Sequence, residues 1–187
     1  MGYCDFSKKK SRVVIGSDRG LYDGETGSAE VSPHPKIFTR QLDGGEDFIM
    51  GACGDCAFGD QLEMIDFSKI KVKKEHRKDA GKFLKEIFVP VLKKRVKPCK
   101  ESEILIAIFD SLYKLDEEFA VIATGETGFA IGSAAPPARA VLYALHKVNE
   151  QRGRKKIDAL EMVSLALQAA ESCSMYCRGP FDIMELG

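Results

Sequence analysis

Arg12-Val13-Val14-Ile15-Gly16-Ser17-Asp18 is a β-branched run that closes on a glycine, a serine and a carboxylate. Such side chains are stiff and suit a pleated, half-buried surface, so the run predicts a strand. The segment Lys8 to Ser11 ahead of it can turn the chain, which makes residues 3–6 and 12–17 the two arms of a hairpin. Downstream, a polar, glycine-rich stretch covers residues 19–35 and closes on Pro33-His34-Pro35. Lys36-Ile37-Phe38-Thr39 and Phe48-Ile49-Met50-Gly51-Ala52-Cys53 then read as strands on either side of a turn at Asp43-Gly44-Gly45.

Two helices are expected between about residues 54 and 97. In the second, Phe83, Leu84, Ile87, Phe88, Val91 and Leu92 recur at helical spacing. Pro90 lies inside that pattern and predicts a kink, because it removes a donor and crowds the preceding turn. Strands follow over 103–109, 113–115, 119–123 and 129–131. Pro136-Pro137 suits a helix start, and Ala138, Val141, Leu142, Leu145 and Val148 continue its apolar face. Ile157, Leu160, Val163, Ala166, Leu167 and Ala170 mark another helix, with Asp158 acidic at its head, and residues 181–186 a last strand. Blocks of strands separated by pairs of helices predict an α+β layered sandwich rather than a doubly wound parallel sheet. With no linker or repeat, residues 1–187 are expected to form one domain.

The 187 residues can bury a proper core, and Lys+Arg and Asp+Glu both number 28. That balance offers no electrostatic case for nucleic acid, so no nucleic-acid partner is expected. The basic runs Lys8-Lys9-Lys10, Lys93-Lys94-Arg95 and Arg152 to Lys156 read as solvated turns or helix faces. No apolar stretch approaches the ~18 residues of a bilayer span and the start is not a secretory signal, so the expectation is a cytoplasmic protein with no membrane partner. Cys53, Cys56, Cys173 and Cys177 could be read as four zinc ligands, but their loose spacing and apolar surroundings favour buried free thiols. No cofactor is expected.

Four segments, in order and suitably spaced, resemble the proteasome β-subunit and its bacterial relative, the HslV peptidase. Val13 to Asp18 resembles the family's second strand, and Pro35-Lys36-Ile37-Phe38 the segment with its lysine. Met50-Gly51-Ala52-Cys53-Gly54-Asp55 resembles the glycine-rich opening of the first helix. Phe129 to Ala135, with the helix from Pro136, resembles the Gly-Ser-Gly-Gly turn and its helix. The resemblance implies a four-layer αββα sandwich of two antiparallel sheets flanked by helices, the N-terminal-nucleophile hydrolase fold. It also implies a homo-oligomeric ring, an ATP-driven unfoldase as partner and a peptide or unfolded protein as substrate.

In that family an N-terminal threonine attacks the peptide carbonyl while its own α-amine, titrating near ~8, serves as base. By resemblance Asp18 orients Lys36, Lys36 favours the charged nucleophile, Gly54 supplies the oxyanion N–H and Ser133 is the turn serine. Taken singly, Asp18 could cap a turn, Lys36 lie on the surface and Ser133 cap a helix. The chain departs from the family at the nucleophile. Counting back from Asp18 without gaps puts Gly2 there, and Cys4 is the nearest strong nucleophile. Ala134-Ala135 also stands where the family prefers glycines. Two main expectations follow: a peptidase subunit, or a catalytically silent homo-oligomer of the same fold. A small-molecule amidase using Cys4 is a third. Residues 19–35 are expected to be mobile or to meet substrate, as glycine-rich loops on rigid scaffolds often do.

Overall fold

A computed structural model of the chain describes residues 1–5, 11–23, 26–151 and 156–187. The hairpin turn with Phe6 and Lys8-Lys9-Lys10, and most of the 152–156 basic run, lie outside the described residues. Strands β1 (Gly2–Asp5) and β2 (Arg12–Ser17) pair antiparallel, and β10 (Asp182–Leu186) pairs along the other edge of β2. A short hairpin of β3 (Gly20–Tyr22) and β4 (Ala29–Val31) follows, so part of the 19–35 segment is regular. The five strands β5 (Ile37–Gln41), β6 (Asp47–Cys53), β7 (Glu103–Ile108), β8 (Ser111–Leu115) and β9 (Val121–Ala123) form an antiparallel sheet in chain order.

Strand periodicity builds the layers. Successive side chains point to opposite faces, so Val13 and Ile15 of β2 join Cys4, Ile37, Ile49, Leu105 and Ala107 in a core between the two large sheets. Val14 and Tyr3 face the other way, into a cluster with the helices α4 (Ala135–Gln151) and α5 (Ala159–Cys173). On the larger sheet, Phe48, Met50, Ile104, Ile106 and Ile108 face outward against α1 (Cys56–Glu63), α2 (Ala80–Phe83) and α3 (Val89–Arg95). Among the described residues the order is therefore helix, sheet, sheet, helix, as the α+β sandwich reading requires.

Local chemistry explains the boundaries. Asp55 caps α1 by accepting the Ala57 N–H at 2.7 Å, and Asp158 caps α5 by accepting that of Leu160 at 3.0 Å. Between α2 and α3 the backbone widens into a π-helical turn, Leu84–Phe88, directly ahead of Pro90. Proline cannot donate to the residue four back and its ring presses on that turn, so the helix expands there.

Residues 129–131 differ from expectation: instead of a strand they make a single bridge, Gly2 with Phe129. Gly128 and Gly132 turn the chain on either side with φ of +80° and +87°. The Ala130 carbonyl is taken by the Arg139 guanidinium at 2.8 and 2.6 Å. A side chain thus satisfies a backbone group that a ladder would otherwise have used.

Candidate active site

Asp18 stands just past β2 and Lys36 just before β5, so the ends of two sheets bring them together. Lys36 Nζ donates to both Asp18 carboxylate oxygens at 3.2 Å and also to the Gly20 carbonyl. Asp18 further accepts the N–H of Gly20 at 2.8 Å and of Arg178 at 3.4 Å. A Cβ on Gly20 would lie 2.9 Å from the Asp18 oxygen and 3.0 Å from the Tyr176 carbonyl, so the close approach needs glycine there. With roughly a quarter of the lysine side chain exposed, the pair is a half-buried, oriented cation rather than a surface contact.

The hairpin register places the first residues of the chain. Gly2 lies opposite Ile15, and its N–H and carbonyl are both bonded to Phe129, at 2.8 and 2.9 Å. Met1 comes opposite Gly16: its amine donates to the Gly16 carbonyl at 2.6 Å, and the Gly16 N–H returns to the Met1 carbonyl at 2.7 Å. Burial pushes this amine down to about 6, against the pull of Asp18 and the neighbouring Cys53 and Cys177, and Lys36 adds to the lowering. The strand pairing thus sets Gly2 opposite Ile15 and bonds Met1 to Gly16, two residues before Asp18.

Cys4 is not brought to the pair. It points between the two sheets among Val13, Ile15, Ile37 and Leu105, and burial pushes its thiol up to about 12. The alternation of the strand forbids both Cys4 and its neighbours from facing one site. Gly54 ends β6 at φ +103°, where a Cβ would sit 2.5 Å from Ser102 Oγ, so glycine is required. Ser133 is exposed in the turn that enters α4, where the Ala135 N–H closes on the Gly132 carbonyl at 3.0 Å.

The sequence reading missed Glu103 and Lys114, and took Cys53 and Cys177 only as possible zinc ligands or buried thiols. Glu103 pairs with Lys114 and accepts from the Gly132 N–H at 3.4 Å and the Cys53 thiol at 3.9 Å, tying the Ser133 turn to β7. A cross-strand diagonal of opposite charges on adjacent strands was the signal available. Cys53 and Cys177 are both held up at about 11, chiefly by burial. Cys56 and Cys173 are exposed, contrary to the expectation of four buried thiols, and no three potential metal-ligating side chains converge among the described residues. A polar cleft of about 590 Å³, lined by Val31, Glu171, Cys173, Met175, Cys177 and Arg178, opens beside the pair.

This arrangement of layers matches the fold of the proteasome-like N-terminal-nucleophile hydrolases. HslV from Trypanosoma brucei superposes with a TM-score of 0.67 at 20% identity, covering 100% of this chain and 99% of that one. Thiobacillus denitrificans BPH, in complex with epoxomicin, gives 0.66 at 19% identity over 96% of this chain and 94% of its own. The Anbu complex of Pseudomonas aeruginosa, a helical assembly, gives 0.60 at 11% identity over 93% and 76%. At such identities the likeness is one of fold. No family model matches the sequence, and no curated protein does.

Proposed function

We propose that this chain is a proteasome-like peptidase homologue that works as a self-associating subunit, and that its site is catalytically silent. One observation carries the reading: the Asp18–Lys36 pair is intact, but none of residues 1–3 carries an aliphatic hydroxyl or a thiol. Met1 offers a thioether, Gly2 a hydrogen and Tyr3 a phenol that burial pushes to about 12. Removing the first one or two residues therefore supplies no hydroxyl or thiol nucleophile of the family's kind. The nearby thiols Cys53 and Cys177 are shifted away from the reactive thiolate.

Self-association is supported by exposed apolar side chains where a neighbouring copy could pack. Tyr22 and Tyr176 meet edge to face at 4.6 Å between the β3–β4 hairpin and the α5–β10 loop, beside the exposed Val31 and Met175. Tyr143, Leu160 and Leu165 are exposed on the α4–α5 layer. No described helix is long and apolar enough to cross a membrane, which is compatible with a cytoplasmic assembly.

A second reading, an active peptidase fed unfolded protein by an ATP-driven unfoldase, is favoured by the Met1 amine. At about 6 it is unprotonated at neutral pH and could accept a proton. Native mass spectrometry together with labelling by a peptide vinyl sulfone separates the readings. An oligomer without adduct or peptide turnover is expected. A single covalent adduct accompanied by turnover would establish the second reading.

A further inference from the structure

On the opposite helix layer, away from Asp18 and Lys36, a cavity of about 320 Å³ opens between the 66–71 segment and the helix that carries the π-turn. Its floor is apolar. Ile70 is buried, while Ile87 in the π-turn and Val91 one turn on are only half-buried. Leu84, Phe88 and Leu92, on the inner face of the same helix, are fully buried. Ile87 and Val91 therefore present apolar surface that the core does not cover.

The rim carries Lys69, Lys71, Lys94 and Arg95 against a single carboxylate, Asp66. Asp66 is already engaged: it accepts the Ser68 hydroxyl at 2.6 Å and N–H at 3.1 Å, and pairs with Lys69 at 3.1 Å. Lys71, Lys94 and Arg95 have no ion-pair partner among the described residues. Lys94 and Arg95 complement the negative end of α3, which accounts for cations at that position. Helix-end complementarity does not account for Lys71 on a different segment, nor for the apolar space left between them. A cavity of this size, apolar with a few convergent charged groups, has the make-up of a small-molecule site.

We propose that this cavity binds a small anionic amphiphile, with a carboxylate or phosphate head held by Lys71, Lys94 and Arg95 and an aliphatic tail lying on Ile70, Ile87 and Val91. Both parts are required: the cations lie at the surface, where an anion alone is screened and weakly held, and the floor rewards buried hydrocarbon at roughly 25 cal/mol per Å².

Calorimetric titration of the full chain with octyl phosphate and with octanoate tests this, against octanol and inorganic phosphate as controls. Saturable binding of either anionic amphiphile is expected, with at most marginal heats from octanol or phosphate. Stronger binding of octyl phosphate than of octanoate would assign a phosphate head, and the reverse a carboxylate. The surface double variant Lys94→Glu/Arg95→Glu should weaken binding ~10-fold or more, about 1.4 kcal/mol, with the thermal transition lowered only by the small loss of favourable charge at the end of α3. Val91→Glu should weaken it by removing the floor while leaving the rim. No saturable binding by either amphiphile, equal binding of octanol, or full affinity in the charge-reversed protein would overturn the proposal.

Discussion

The two helix layers bury their sheets by different means. Over the five-stranded sheet the packing is aromatic: Phe67 stacks on Phe88 at 5.3 Å, Phe48 meets both rings edge to face, and Phe83 abuts Phe88 and Phe109. Over the smaller sheet it is built from small residues, with Ala138 of α4 and Ala159, Ala166 and Ala170 of α5 all but fully buried. Large interlocking rings fill the first layer, and a cavity opens at its edge. Small residues let α5 come close to β2, the strand that aims Asp18. Volume is the resource on one side and proximity on the other.

The comparison can be broken first on the aromatic side. Phe88→Ala removes the ring that Phe48, Phe67 and Phe83 all touch, and should cost about 3–5 kcal/mol in urea unfolding. A cost below about 1 kcal/mol would mean that the rings are not a cooperative unit.

On the close-packed side the sensitive change is an addition. A Cβ on Gly16 would fall 2.6 Å from Val163 and 2.9 Å from Leu167. Gly16→Val should therefore cost up to about 3 kcal/mol by overpacking and disturb the Met1–Gly16 pairing, both readable by unfolding and amide exchange. Free tolerance of valine would show that α5 is not held tightly against β2.

The same proximity buries the Met1 amine, and pH sharpens that point. In the folded chain it titrates near about 6, against 8.0 when exposed. Between those values the unfolded chain binds the proton and the folded one does not, so stability rises as pH rises from 6 to 8. With the amine at residue 1 the gain is about 2 kcal/mol over that window, and it should vanish when the amine is acetylated. A pH-independent stability in the free-amine protein would contradict the burial. The smallest effect concerns the half-exposed pair itself. Lys36→Met should cost under about 1 kcal/mol, because Asp18 keeps its bonds to the Gly20 and Arg178 N–H groups. A far larger loss would make the pair a structural pillar rather than a prepared site.

The layered fold was legible because it is written in local periods. Val13-Val14-Ile15 alternates between the two cores as a strand should, and the Phe83–Leu92 repeat marks the helix with Pro90 at its distortion. Asp18 and Lys36 were legible only through resemblance, since neither is remarkable alone; their pairing depends on two strand ends that the layers bring together. What stayed hidden is non-local. Arg139 diverts residues 129–131 from the sheet, Glu103 ties the Ser133 turn from the far side of the fold, and Cys177 arrives from the α5–β10 loop.

The most direct test is to supply the hydroxyl that the proposed silent site would need. The variant Met1→Thr, prepared with residue 1 as its terminus, would be assayed for hydrolysis of a fluorogenic peptide beside the unaltered chain and beside Met1→Thr carrying Lys36→Ala. A silent but intact frame predicts no turnover from the unaltered chain, measurable turnover and a vinyl sulfone adduct at residue 1 in the threonine variant, and loss of both without Lys36. Turnover by the unaltered chain, or a threonine variant that assembles normally and stays inert, would contradict it.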